Sequence, residues 1–106
     1  MASKSKAKGN RFEKFIEQLA IDKGIPAKRA WGSNGAALGH HEEVDVLLNN
    51  DIKVQCKVRK RIAKWMLPSE HVDIQVIKED RGMSFAVIPY EDYLELISEL
   101  NINKGG

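Results

Sequence analysis

The stretch VDVLLNNDIKVQCKV, residues 44–58, decides the fold because it has the pattern of two short strands joined by a tight turn. Valine, leucine and isoleucine are frequent in both halves, and such residues are enriched in strands. Between the halves, Asn49, Asn50 and Asp51 are of the types that occupy hairpin turns. The stretch therefore predicts an antiparallel hairpin.

The second strand of this hairpin is predicted to have one apolar and one polar face, because alternate side chains point to opposite sides of a sheet. Cys56 falls on the apolar face and is interpreted as a small core residue, since a reactive thiolate would need an exposed site. The chemistry of the strand is therefore expected on the polar face. The apolar face holds Val54, Cys56 and Val58, and the polar face holds Gln55, Lys57 and Arg59.

Asp45 lies between two valines on the first strand of the hairpin. An acid within an apolar strand must reach water or bind a positive partner, because burying an unpaired charge is costly. Pairing around the turn places Asp45 within a few residues of the level of Gln55. A carboxylate, an amide oxygen and the ammonium group of Lys57 would then converge on one patch. Oxygen ligands of this kind suit a hard cation such as Mg²⁺, with Mn²⁺ as the alternative.

The segment before the hairpin begins with a basic stretch and continues as an amphipathic helix. Residues 1–9 alternate Ser, Ala and Lys and are predicted to form a flexible basic arm. Asn10 is a good N-cap, and Gly24 followed by Pro26 is expected to end the helix. Apolar residues between these limits recur at helical spacing, namely Phe12, Phe15, Ile16 and Leu19.

The remaining segments complete a mixed α/β pattern with about five strands. They predict one domain over residues 10–106. In chain order they are a strand at 27–31, a glycine-rich loop at 32–43, the hairpin, a short helix within 59–70 that stops before Pro68, strands at 72–77 and 83–88, and a helix at 90–100.

Composition excludes several classes of protein. The chain of 106 residues is 42% hydrophobic and 30% charged, and no apolar run is long enough to cross a membrane. The single cysteine rules out an intramolecular disulfide, and the three histidines do not match the spacing of a zinc site. The basic N-terminus lacks the apolar segment of a secretory signal. We therefore expect a cytoplasmic protein with no membrane partner, in the host cytoplasm if the chain is phage-encoded.

Charge is distributed unevenly along the chain. Residues 1–64 carry 14 Lys and Arg against 7 Asp and Glu, a net charge of +7, whereas residues 65–106 carry 3 against 8, a net charge of −5. Residues 52–67 contain six basic residues and no acid. This concentration of positive charge favours a polyanionic partner, bound through sequence-independent phosphate contacts.

An acid on one strand, a short turn, and then an acidic residue, one apolar residue and a lysine on the next strand are the signature of the PD-(D/E)XK nuclease superfamily. The matching positions here are Asp45 and Gln55-Cys56-Lys57. The surrounding sequence resembles the phage and archaeal Holliday junction resolvases of that superfamily. The resemblance implies a restriction-endonuclease-like α/β fold, in which helices flank a mixed central sheet of about five strands.

The resemblance covers most of the chain, from about residue 9 to residue 100. It is carried by the opening GNRFEKFIEQLAIDKGIPAKRAWGSNGA, residues 9–36, which is similar to the first helix, strand and glycine-rich loop of those resolvases. It is also carried by the closing VIPYEDYLELI, residues 87–97.

Roles follow from the resemblance position by position. Asp45 would be the principal metal ligand, and position 55 the second, assisted by the backbone carbonyl of Cys56. Lys57 would orient or activate the attacking water and stabilise charge on the scissile phosphate. Glu13, on the first helix, resembles the acid that completes the metal site.

DNA-binding positions follow partly from the same resemblance. Arg11, Arg29 and Ser33 match places where relatives hold phosphates or shape the loop over the site, although a plain surface charge remains an alternative for the two arginines. The basic run after the hairpin is expected to contact phosphates through Arg59, Lys60, Arg61 and Lys64.

Gln55 departs from the signature, which normally has glutamate at this position. A neutral amide can donate an oxygen to a metal, but it lacks the negative charge and cannot act as a base. Affinity for Mg²⁺ and catalysis are both expected to fall. Three explanations stay open: a natural variant that works with glutamine, a Glu→Gln substitution made to trap a complex or silence cleavage, and a degenerate copy that only binds DNA.

The resemblance implies a Mg²⁺-dependent endonuclease that hydrolyses phosphodiester bonds in branched DNA, with the Holliday junction as its substrate in DNA recombination. A four-way junction presents two strands related by two-fold symmetry, and paired cuts need two active sites. A homodimer is therefore expected. The alternatives are a junction-binding protein of the same fold without catalysis, and a nuclease of the superfamily that acts on other DNA.

Overall fold

A computed structural model describes residues 4–30 and 39–105 of the chain. Within them lie two helices, five strands in two antiparallel sheets and one short 3-10 helix. The chain divides into two compact units, Met1–Val58 and Arg59–Gly106. An α/β architecture with five strands is thus confirmed, but the strands form sheets of three and two instead of a single sheet.

The first helix, α1, spans Lys4–Asp22 and ends where the sequence predicts. Gly24 has a φ of +80°, and its N–H donates to the Ile21 carbonyl while the Ile25 N–H donates to the Ala20 carbonyl. These two bonds define a Schellman cap, which needs a residue that tolerates the left-handed conformation. Ile25 is then buried, so the helix end is fixed by packing as well as by the cap.

The start of α1 differs from the prediction. The helix begins at Lys4, so Asn10 lies inside it and is not its N-cap, and residues 4–9 are helical where a flexible arm was expected. The reason is that the basic stretch is made largely of lysine and alanine, which have high helix propensity, and it contains no proline; the single Gly9 disfavours a helix by only about 1 kcal/mol. Basic character and helix formation are compatible here.

The first unit builds a three-stranded sheet from β1 (Ala27–Arg29), β2 (Val46–Leu48) and β3 (Ile52–Val54), in the order β1-β2-β3. The predicted hairpin is confirmed: Asn49 and Asn50 have φ angles of 54° and 66°, and the Asp51 N–H donates to the Leu48 carbonyl at 3.1 Å. Two consecutive positive φ angles are typical of a type I′ turn, whose twist suits a hairpin.

The core of the first unit lies where α1 packs against β1 and β2. Burying these aliphatic side chains is the main favourable term in the stability of the unit. The buried apolar residues of this unit are Ile16, Ala20, Ile25, Ala30, Val44, Val46 and Leu48.

The second unit contains a 3-10 helix (Lys64–Met66), the two-stranded sheet of β4 (Gln75–Lys78) and β5 (Ser84–Val87), and the helix α2 (Tyr90–Gly105). The short helix ends before Pro68, as predicted. On α2, Leu94 and Ile97 are buried. In the described part of the chain, no helix has both the length and the apolar character that crossing a bilayer requires.

Candidate functional site

Asp45 is buried at a local irregularity of the hairpin. Its N–H donates to the Val54 carbonyl at 2.8 Å, while the next residue, Val46, is the one in register with Val54. Two consecutive residues therefore face one partner, which is the arrangement of a β-bulge. Val44, Asp45 and Val46 are only 7%, 8% and 0% exposed. The bulge thus turns an acid into the protein at a position where strict alternation would point it outward.

The carboxylate of Asp45 is held by the strand that follows. Its Oδ2 accepts a hydrogen bond from the Cys56 N–H at 2.7 Å, and the Ala30 N–H donates to the Asp45 carbonyl at 2.9 Å. A short bond from a backbone amide to a carboxylate is stronger than one between neutral groups. Asp45 is therefore fixed against the segment that carries Gln55 and Lys57.

A second buried acid belongs to the same cluster. Glu13 on α1 is 4% exposed. Burial raises the pKa of the Cys56 thiol to about 12, and the negative charges of Asp45 and Glu13 add to this effect. Both carboxylates thus lie within electrostatic range of one thiol. The thiol stays protonated at neutral pH, which supports the interpretation of Cys56 as a packing residue and not as a nucleophile.

Gln55 and Lys57 were predicted on the second strand of the hairpin, but β3 ends at Val54, so both lie in the segment that follows it. Side chains alternate along this segment as predicted, with Val54, Cys56 and Val58 half-buried and Gln55 and Lys57 exposed. The prediction that Asp45 shares one polar patch with the two exposed residues is wrong in one respect, since Asp45 is buried. The bulge is the cause: it brings the carboxylate to the backbone between positions 55 and 57, and not onto their exposed face.

A shallow cleft of about 340 Å³, widely open to solvent, lies on the first unit beside this cluster. It joins the segment before β2 to β3 and contains both polar and apolar side chains. Asp45 and Glu13 do not line it. The lining residues are His41, Glu43, Val44, Lys53, Val54 and Gln55.

Arg29 on β1 lies beside a carboxylate and has one buried side-chain donor without a partner among the described residues. Its backbone N–H donates to the Glu17 carboxylate at 3.0 Å. Its side-chain Nε is buried and has no hydrogen-bond partner among the described residues, and an unsatisfied buried donor is costly. Glu17 was missed by the sequence reasoning. Its signal was its spacing from Glu13, because residues four apart lie on one face of a helix.

The other predicted DNA-binding residues belong to both units. Arg11 is exposed on α1. Ser33 lies outside the described residues. In the second unit the basic run is exposed to solvent, as phosphate contacts require, at Arg59, Lys60, Arg61 and Lys64.

The donor set around Asp45 fits a hard divalent cation only in part. Over residues 4–30 and 39–105, no group of three or more His, Cys, Asp and Glu side chains is arranged to hold a metal. The two acids Glu13 and Asp45 supply two carboxylates, and the side-chain amide of Gln55 is a further oxygen donor. Mg²⁺ commonly binds through one or two carboxylates and keeps several waters, so two acids are a sufficient protein contribution.

Comparison with protein-family models, with curated proteins and with solved structures gives no match to this chain. The residues around Asp45 are therefore the basis for a functional proposal.

Proposed function

We propose that this protein is a metal-dependent, structure-selective endonuclease of the PD-(D/E)XK type that cuts branched DNA, with the four-way junction as its substrate. The observation that carries the proposal is the buried carboxylate of Asp45, fixed at a bulge onto the segment before Lys57. β-bulges are frequent beside active sites, where they redirect a side chain. The order of α1 followed by three antiparallel strands supports the restriction-endonuclease-like fold as part of the same proposal.

Charge supports a cation at this cluster. Glu13 and Asp45 are both buried, and their negative charges act on the same thiol. Bringing carboxylates out of water is expensive, and a divalent cation bound between them would offset that cost. Acidic side chains are far more often exposed than buried. Two buried acids in one cluster therefore point to a ligand.

Each residue of the site has a separate task. Asp45 and Glu13 would hold a Mg²⁺ or Mn²⁺ ion from the buried side, with the carbonyl of Cys56 as a further ligand. The exposed Gln55 side chain would have to turn inward to add its oxygen. The ion, when bound, lowers the pKa of water and stabilises charge on the phosphate. Lys57 presents an ammonium group from the same segment, which would orient the attacking water and stabilise the developing negative charge.

Gln55 supports a second candidate function. It is exposed and neutral at a position where a carboxylate would complete the site. A protein with this arrangement would bind junctions through its basic residues and cut them slowly or not at all. This second function, a junction-binding protein of the same fold, shares every feature of the first except the charge at position 55.

A homodimer is part of the proposal, because paired cuts in a two-fold symmetric junction require two sites. The second unit has an exposed apolar surface that could form the dimer interface. β4 and β5 pair only with each other among the described residues, and a two-stranded sheet alone is marginally stable in water. Several large apolar side chains of this unit are exposed, including Trp65 (67%), Val76 (64%), Met83 (73%) and Phe85 (60%). Surfaces of this kind mark sites of protein association.

The test uses the whole chain, Mg²⁺ or Mn²⁺, and a four-way junction labelled on each strand in turn. Symmetric paired nicks near the branch point, absent with chelator, are the expected result for the enzyme. Binding without cutting, by both this protein and its Gln55→Glu variant, would reject the nuclease and support the binding protein. Failure to bind any branched DNA would reject both functions.

A further inference from the structure

The cleft beside Asp45 has the composition of a site for a small organic group. Its volume of about 340 Å³ lies at the small end of the range for ligand pockets. Val44, which is buried, and Val54, which is half-buried, form the apolar part of its lining. His41, Glu43, Lys53 and Gln55 are exposed polar residues around it. An inorganic anion would make no contact that uses the valines, which favours an organic group.

The polar groups of the cleft include hydrogen-bond donors, hydrogen-bond acceptors and charges of both signs. The Glu43 N–H donates to His41 Nδ1 at 3.1 Å, which places the proton of a neutral imidazole on Nε2. His41 therefore presents a donor and a flat ring face. The Glu43 carboxylate accepts hydrogen bonds, the Gln55 amide both donates and accepts, and Lys53 supplies a positive charge.

We propose that this cleft binds one unpaired nucleotide of the DNA, and that it prefers a base with an exocyclic amino group to thymine. The inference rests on the proposed function in taking DNA as the ligand. The carboxylate of Glu43 is complementary to an exocyclic amine such as N4 of cytosine. The valines and the imidazole face contact the plane of the base, and Lys53 contacts its phosphate. The arms of a four-way junction are base-paired, so the cleft would take a base that is mismatched or unpaired at the branch point, where turning a base out of the stack costs least.

The experiment compares binding to two junctions that differ only in one unpaired nucleotide at the branch, cytosine or thymine, in the presence of chelator so that no cutting occurs. The unchanged protein is expected to bind the cytosine junction about tenfold more tightly, the scale of one good hydrogen-bonded base contact. Glu43→Gln should reduce the preference to less than about threefold. Glu42→Gln is the matched control, since Glu42 is exposed in the same loop but does not line the cleft.

A second measurement guards against indirect effects. In the unchanged protein, dCMP should shift the NMR signals of the Gln55 side-chain amide at concentrations where dTMP does not. Equal binding of the two junctions, or the same loss of preference in both glutamate variants, would overturn the inference while leaving junction binding and cleavage intact. Absence of any DNA binding would instead overturn the proposed function, and this inference with it.

Discussion

Asp45 Oδ2 accepts a hydrogen bond from the Cys56 N–H at 2.7 Å, across the two arms of the hairpin. The bond makes position 45 part of the segment that carries the candidate catalytic residues, although 11 residues separate the two in sequence. Cys56 takes part in the cluster through two groups. Its amide positions the acid, and its half-buried thiol is the group on which Asp45 and Glu13 both act.

Gln55→Glu is expected to strengthen metal binding and to raise or restore cutting. A carboxylate adds a negative charge at an exposed position, so affinity for Mg²⁺ should rise by at least about tenfold, the scale on which ligands tune metal sites. Isothermal titration with Mg²⁺ and cleavage of a four-way junction are the measurements. Asn103→Asp makes the same amide-to-carboxylate change at an exposed position of α2 and should alter neither quantity. Equal effects of both substitutions would show that only net charge matters.

Asp45→Asn should abolish cutting while leaving junction binding nearly unchanged, in whichever form of the protein cuts. Asparagine keeps an oxygen that can accept the Cys56 N–H but loses the charge that holds a cation. A fall in cleavage rate of about 100-fold or more is expected, because even residues that only support metal ligands cost about 10- to 100-fold. Asp51→Asn, in the exposed turn of the same hairpin, is the control. Loss of the folded state on Asp45→Asn would instead assign Asp45 a structural role.

The hairpin and the separation of its faces could be predicted from the sequence because they depend on local chemistry: Asn49 and Asn50 accept positive φ angles, and the apolar residues after them alternate. The burial of Asp45 could not be predicted from the sequence. A bulge inserts one residue into a strand without any signature in the sequence, and it changes which side of the sheet the neighbouring side chains face. The beginning of α1 was missed for a different reason. A capping residue such as Asn10 permits a helix to start but does not require it.

The pKa of Cys56 predicts a specific dependence of stability on pH. The folded value, about 12, lies above the ordinary 9.0 of an unfolded thiol. The folded state therefore holds this proton more tightly, and its contribution to the free energy of unfolding is complete below pH 9 and is lost as pH rises towards 12. Urea unfolding of the unchanged protein and of Cys56→Ala, from about pH 8 to about pH 11, isolates the contribution. Two curves that stay parallel over this range would contradict the assignment.

The basic run should contribute to DNA affinity through counterion release. Lys60→Ala is expected to lower the slope of log K against log salt concentration by roughly 0.9 if the residue makes one phosphate contact. Junction binding measured at several salt concentrations gives the slope. Lys14→Ala removes the same charge from an exposed position on α1, outside the predicted contact set, and should change the slope less. A slope unchanged by Lys60→Ala would mean that Lys60 makes no phosphate contact.

The exposed apolar surface of the second unit predicts where two copies meet. Phe85 is 60% exposed on β5, and Phe15 is 55% exposed on α1, so Phe85→Ser and Phe15→Ser make the same change at similar exposure. Phe85→Ser should raise the dissociation constant of the dimer by about 10- to 100-fold, because a symmetric interface loses the side chain twice and buried aromatic side chains carry much of the binding energy. Sedimentation equilibrium measures this constant. A dimer weakened only by Phe15→Ser would move the interface to the first unit, and a monomer in the unchanged protein at every concentration would leave the paired cuts without a second site.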